Sequence, residues 1–281
     1  VDIDATGTML PNAVLRFTDK PDTSLHYVPT VFITQRAIAA LQRTDTTVLA
    51  QQIITLIASL DSMAGIIPEE IQMDCDWTVK SRDAFFALLR ALRHQPFMQH
   101  KKLSCTLRLH QTKYSGTSGI PPVDRAMLMC YNMGNIKNPE DHNSILDADL
   151  AKAYLGSIKH YPLALDIALP IFQWSVLFRN DQFNGILRDM DPVTFKANVY
   201  FSKHGNVYTC LKDTQINHYL IHEHDKIRVE MPGIDEISRM AKFTASQDSA
   251  SKISIAFFHL DSLNFYKYPT YELEKIFAYF K

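Results

Sequence analysis

The chain has few cysteines, no surplus of charge of either sign and no long apolar run. Only four cysteines occur in 281 residues, Cys75, Cys105, Cys130 and Cys210. None forms a Cys-x-x-Cys pair, which excludes a zinc knuckle of that spacing. Three of them lie within strand-like runs and read as small buried hydrophobes. Lysine and arginine total 29 against 30 aspartates and glutamates, a formal net charge of −1. Broad electrostatic binding to nucleic acid or to an anionic membrane surface is therefore not expected. No stretch has the roughly 18 consecutive apolar residues that a membrane span needs. Gly-x-Ser-x-Gly is absent, so no serine nucleophile can be assigned. No repeat and no low-complexity segment is visible. No cofactor and no metal site is expected.

What is present is a large apolar fraction, 46% of residues, in a length that suits one α/β barrel. From about residue 25 to 174 strands and helices alternate. "YVPTVFIT" (27–34) reads as a strand. The next segment has Leu49, Ile53, Leu56, Ile57 and Leu60 at helical spacing, with Asp45 as its cap. "EIQMDCDWT" is a strand, and "SRDAFFALLRALR" a helix with Phe85, Leu88, Leu89 and Leu92 on one face and Ser81 as cap. "KLSCTLRLH", "RAMLMCYNM" and "LALDIALPIF" are further strands, and a helix from 147 is stopped by Pro162. "ISIAFFHL" is a last strand, and "TYELEKIFAYF" a last helix. Segment 181–232 loses helical periodicity and contains a Gly-Asn turn at 205–206, so it reads as a β-rich insertion within a single domain spanning 1–281.

Two strands depart from the all-apolar pattern of buried parallel strands. In 71–78, Ile71, Met73, Cys75 and Trp77 alternate with Gln72, Asp74, Asp76 and Thr78. In 103–110, Leu103, Cys105, Leu107 and Leu109 alternate with Ser104, Thr106, Arg108 and His110. Successive strand side chains point to opposite faces, so each strand has one apolar and one polar face. A (β/α)₈ barrel, whose functional groups gather at the C-terminal strand ends, fits this better than an open sheet. Asp74, Asp76, Arg108, His110, Tyr131, Asn132 and Asp261 all fall near such ends. Two like charges on one strand face cost energy unless they share a proton or a cation, which suggests a functional pair. The plainer alternative is a carboxylate network bonded to Arg108. His222 and His224 in "HYLIHEH" have a spacing that can bind metal, but an exposed polar strand explains them as well. "GTSGIPP" (116–122) lacks the lysine of a phosphate loop and reads as a loop over a barrel mouth.

The order of these segments resembles the family-18 glycoside hydrolases, the chitinase-like (β/α)₈ barrels. "IQMDCDWT" is similar to the end of that family's DxxDxDxE motif, with Asp74 and Asp76 on its second and third aspartates. "MCYN" (129–132) is similar to MxYD, and "ALPIFQ" (168–173) to GxPFYG. Phe258 stands where the family's last strand ends in tryptophan. The chain resembles still more an exported bacterial group, the domain of unknown function 3142 proteins, through "VPTVFITQR", "QMDCDWT", "RLHQTKYSGTSGIPPVDRAMLMCYNMG" and "LALDIALPIFQW". These resemblances imply a periplasmic or cell-surface protein, often a lipoprotein anchored upstream of this chain. They also imply that Val1 follows the first barrel strand or two.

The family's catalytic acid is a glutamate at the place of Thr78, and a threonine hydroxyl cannot supply that acidity near neutral pH. Two expectations follow from the resemblance. In the first, the protein hydrolyses a polysaccharide or oligosaccharide, with Asp74, Asp76 and Asp261 as the catalytic carboxyls and Arg108, His110, Tyr131, Asn132 and Trp174 holding the sugar. In the second, it is an inactive carbohydrate-binding or surface scaffold barrel.

Overall fold

The structure is a computed structural model describing all residues except 5, 6, 42–44, 157, 189, 191, 197, 248–252, 262, 263, 265 and 281. The chain divides into two compact units. The first comprises Val1–Met129, Ser157–Asp166 and Ala250–Ser254; the second comprises Cys130–Gly156, Ile167–Ser249 and Ile255–Lys281.

In the first unit, β1 (Asp2–Ile3) and β2 (Met9–Leu10) form a small antiparallel pair. Then β3 (Thr30–Ile33), β4 (Glu70–Cys75), β5 (Lys102–Arg108) and β6 (Arg125–Met129) pair in parallel, each with the next. Its helices are α1 (Gln35–Ala40), α2 (Thr46–Ala64), α3 (Arg82–Arg93), α4 (Leu109–Lys113) and α5 (Ser115–Ser118). The Asp45 carboxylate accepts from the Thr47 and Val48 amides and so caps α2. Ser81 occupies the corresponding place before α3 but makes no capping bond. Its hydroxyl instead meets the Thr78 amide at 3.0 Å, tying down the turn after β4. Phe85, Leu88, Leu89 and Leu92 of α3 are fully buried, as their helical spacing requires.

By length and composition α2 could cross a membrane, but its face through Leu49, Ile53 and Ile57 is buried and packs on the core of the unit.

The second unit holds α6 (Ala148–Leu155), α7 (Pro192–Lys196), α8 (Ile234–Gln247) and α9 (Thr270–Phe277). The helix expected to run on to Pro162 ends as α6 at Leu155, and Ile158–His160 form a 3₁₀ turn. β7 (Ala164–Pro170) starts in the first unit, continues into the second and pairs in parallel with β15 (Ile255–Phe258). Between them β8 (Trp174–Arg179), β9 (Gln182–Leu187), β10 (Phe201–His204), β11 (Val207–Cys210) and β14 (Lys226–Glu230) form an antiparallel sheet. Its strand order is β10-β11-β14-β8-β9, and β12 (Thr214–Ile216) with β13 (Tyr219–Ile221) makes a separate hairpin. Gly205, with φ +60°, makes the turn from β10 to β11 that the Gly-Asn pair predicts. Leu177, Phe195, Tyr208, Ile221 and Ile227 form the core of this sheet.

The parallel sheet has the order β15-β7-β6-β5-β4-β3. Among the described residues it has six strands, so the fold is mixed α/β and consistent with a partial TIM-type barrel, not a complete (β/α)₈ barrel. Among the described residues ahead of β3, β1 and β2 are two-residue strands that pair with each other, and Val1 bonds the Phe32 carbonyl and the Thr34 amide.

Candidate functional site

The period of two in β4 is realised in full. Ile71, Met73 and Cys75 are buried, while Gln72 and Asp74 on the opposite face are half-buried. The strand ends at Cys75, and the chain keeps the alternation for three more residues: Asp76 half-buried, Trp77 buried, Thr78 exposed. Trp77 is the anchor. Its ring stacks on Phe85 at 5.2 Å, and its Nε1 donates to the Ser118 carbonyl at 3.1 Å. The Gln111 side chain donates to the Trp77 carbonyl at 3.2 Å and accepts from the Arg108 amide at 2.8 Å. These bonds join the segment after β4 to the segment after β5.

Arg108, the last residue of β5, reaches across to Asp76. Its Nε donates to one carboxylate oxygen and its NH2 nitrogen to the other, both at 2.5 Å. This bidentate fork engages both Asp76 oxygens. Asp74 takes a different partner, accepting from the Thr106 hydroxyl at 2.7 Å. Burial pushes the Asp74 carboxyl above its usual range; the Thr106 bond opposes it most, the charge of Asp76 adds to it, and the Arg108 charge opposes it least. Thr106 belongs to the polar face of 103–110, yet its role as donor to Asp74 shows only in the structure. Gln72 and Ser104, paired in register, add a bond at 3.4 Å.

His110 is not on the strand. β5 stops at Arg108, and His110 lies exposed in the first turn of α4. Gln111 takes the Arg108 amide there, so the chain turns helical. Although its side chain is exposed to solvent on one side, partial desolvation on the other and then the Arg108 charge hold the His110 imidazole below its usual range, with Asp76 opposing. Thr78 is exposed at the end of the Asp74–Asp76 row, its hydroxyl 3.4 Å from that of Ser81.

The remaining sequence candidates lie in the second unit. Tyr131 stacks on Phe258 at 5.1 Å and meets Phe172 edge-on at 5.6 Å. Phe172 in turn meets Trp174 at 5.4 Å and the His259 ring at 6.1 Å. Phe258 is 43% exposed, so the group presents an aromatic face. Asn132 is exposed with φ +56°, a left-handed conformation that asparagine tolerates, and its amide bonds the Ile145 carbonyl at 2.7 Å. Asp261 is half-buried, and its carbonyl accepts from the Asn264 amide at 3.1 Å.

Sequence reading missed the group that holds Trp174. Its Nε1 donates to Glu230 at 2.9 Å, and the same Glu230 oxygen accepts from the Ser144 amide and hydroxyl at 2.7 and 2.6 Å. Arg228 donates to the other Glu230 oxygen at 2.6 Å and to the carbonyls of Asn138 and Ile136. Both charged side chains are buried. The alternation of Arg228 and Glu230 in "KIRVE" is the trace of this pair in the sequence. Gly134 lets the loop close, since a β-carbon there would sit 2.8 Å from the Ser144 Cα.

His222 and His224 follow β13 in a turn rather than sharing a strand face: His222 lies 3.4 Å from Asp213, and His224 is exposed. No group of three or more His, Cys, Asp or Glu side chains that could hold a metal occurs among the described residues.

No protein-family model and no curated protein matches this sequence. The resemblance to the domain of unknown function 3142 proteins therefore has no support from a family model. Solved structures do match in fold. A chitinase from Chromobacterium violaceum is 13% identical with a TM-score of 0.55, over 99% of this chain and 90% of that one. The Ostrinia furnacalis Group IV chitinase is 12% identical with a TM-score of 0.52, over 90% and 80%. The Bacillus cereus spore cortex-lytic enzyme SleL is 16% identical with a TM-score of 0.52, over 90% of this chain and 59% of that one. At these identities the likeness is one of fold, and the fold is glycoside hydrolase-like.

Proposed function

We propose that this protein is a carbohydrate-binding barrel on a glycoside hydrolase-like fold. The observation that carries the reading is the Arg108 fork on Asp76. A general acid must present a proton to the leaving oxygen. Asp76 has both oxygens engaged by a guanidinium, and the neighbouring position is Thr78, whose hydroxyl is a poor acid. The half-buried Gln72, Asp74 and Arg108 offer donors and acceptors of the kind that sugar hydroxyls use, while Ser104 and Thr106 are buried behind them and Thr106 holds Asp74 in place. In the second unit, the aromatic face of Tyr131, Phe258 and Trp174 suits stacking on a sugar ring.

A second reading has one specific observation in its favour. Asp74 is shifted toward holding a proton, and it lies beside Asp76, whose carboxylate is paired with the Arg108 guanidinium; a carboxyl of raised pKa next to a second carboxylate suits a general acid. In that reading the protein hydrolyses glycosides with Asp74 as acid, and Asp261 is a further candidate carboxyl. His110 in the first unit and Asn132 in the second are each a separate candidate for contact with sugar hydroxyls.

Export to the periplasm or cell surface, with a lipid anchor upstream of this chain, belongs to the proposal through the motif resemblance alone. Cell fractionation tests it, and a cytosolic pool would remove it. A glycan array combined with a panel of chromogenic glycosides separates the two functional readings. Binding without turnover supports the first, and turnover abolished by Asp74→Asn supports the second.

A further inference from the structure

Trp174 opens β8 and Glu230 closes β14, and the antiparallel ladder sets them directly opposite one another. Arg228 faces Val176 one repeat along, on the same side of the sheet. Cross-strand partners bring their side chains together, so the indole Nε1 reaches the Glu230 carboxylate within the sheet itself. Both carboxylate oxygens and all three guanidinium nitrogens are hydrogen-bonded. The guanidinium also lies over the Phe178 ring, 4.9 Å from its centre. All of these residues belong to the second unit.

Glu230 reaches the aromatic face by two routes. One is Trp174, whose ring meets Phe172. The other is the base of the loop 132–145. There the Asn132 amide donates to the Ile145 carbonyl at 2.7 Å and the Gly134 amide to the Ser144 carbonyl at 3.1 Å. Glu230 takes both donors of Ser144, and Tyr131, which leads into this loop, stacks on Phe258. Arg228 holds the middle of the loop through the Ile136 and Asn138 carbonyls. A buried ion pair is a costly way to fill space, since apolar residues of similar volume often serve stability as well or better. What the carboxylate adds is direction, because it fixes an indole and a loop base at once. Tryptophan has a single donor. With that donor turned onto Glu230, Trp174 offers a ligand only its carbon surface.

We propose that Glu230 is the positioning residue of the aromatic face, setting the Trp174 indole and the loop that carries Tyr131. It is 1% exposed, so it acts through Trp174 and Ser144 rather than by touching a ligand. For the identity of that ligand the inference rests on the carbohydrate reading. Trp174 then recognises the flat apolar face of a pyranose ring and not its hydroxyls.

The test uses the whole chain with ¹⁵N-labelled indoles, which gives one signal for each of the two tryptophans, and Trp174→Phe identifies that of Trp174. Arg228→Met/Glu230→Leu removes both charges and keeps the volume, so no buried charge is stranded. Glu230→Gln keeps one acceptor oxygen. Each protein is studied folded, well below its own Tm. In the double variant, hydrogen exchange at the Trp174 indole should speed up about 10-fold or more while Trp77 stays as it was. Affinity for the glycans of an array should fall about 10-fold. Glu230→Gln should lie between the double variant and wild type in both measurements. Unchanged exchange at Trp174 would overturn the inference. So would equal acceleration at both indoles, because the pair would then serve only the fold. Faster exchange at Trp174 with unchanged glycan affinity would overturn the positioning role. A wild type that binds no glycan removes the carbohydrate reading instead, and the indole signals still decide whether Glu230 sets Trp174.

Discussion

The Arg108–Asp76 fork can be measured by a double-mutant cycle with Arg108→Met, Asp76→Asn and both together. Arg108 is 41% exposed and Asp76 27%, which places the pair between surface and interior. Exposed ion pairs contribute about 0.2–1 kcal/mol, whereas single hydrogen bonds to charged groups contribute about 1.5–3. Two short bonds in fork geometry, discounted for solvent screening, give a coupling energy of about 1–2 kcal/mol. Arg108→Met also leaves Asp76 beside Asp74 with no guanidinium between them and the solvent. That single change should cost about 2 kcal/mol at neutral pH, lowering Tm by roughly 4–8 °C at the slope typical of chains near this size. Asp76→Asn should cost less, because it removes a like charge next to Asp74 as well as the fork. The double variant should be more stable than the sum of the singles predicts. Urea unfolding followed by tryptophan fluorescence gives the three differences. Additivity within about 0.3 kcal/mol would refute the coupling, as independent sites behave that way.

Three further outcomes are expected. Asp74→Asn should raise stability at pH 7 by about 1 kcal/mol, as relief of a strained functional carboxylate often does. Burial raises the folded-state pKa of Asp74, so the penalty on its charged form is present in full above that raised pKa. The gain should therefore fade as pH falls toward the ordinary value of 3.8, and a gain independent of pH in thermal melts would count against the assignment. Glu230→Gln strands the buried Arg228 without a counter-charge and should cost about 3–5 kcal/mol in urea unfolding; a loss under 1 would show that the pair is not desolvated. Asp45→Ala should cost about 1 kcal/mol by uncapping α2, and no change would mean that water replaces the cap.

How far the sequence discloses these features depends on how local they are. Alternation from Ile71 to Trp77 is a period-two signal with one buried face, and the structure keeps it. His110 continued the same alternation on paper, but the Gln111 side chain takes the Arg108 amide and the strand ends two residues early. No periodicity records such a competition between side chain and ladder. The pairing of Arg108 with Asp76 was one of two readings the composition allowed, and register decides it, because β4 and β5 run side by side in parallel. Glu230 stayed hidden for a different reason. Its partners Ser144 and Trp174 are 86 and 56 residues away, so only the fold brings them together.

The most direct test of carbohydrate binding without turnover puts wild type, Asp74→Asn and Asp76→Asn through one glycan array and one chromogenic glycoside panel. The predicted result is a glycan bound by the wild type with no hydrolysis above buffer. Both variants should then shift affinity by roughly 3- to 30-fold, the range of one or two lost polar contacts. Hydrolysis by the wild type that falls about 100-fold or more in either variant, with binding kept, would contradict that account and make the carboxylate a catalytic group.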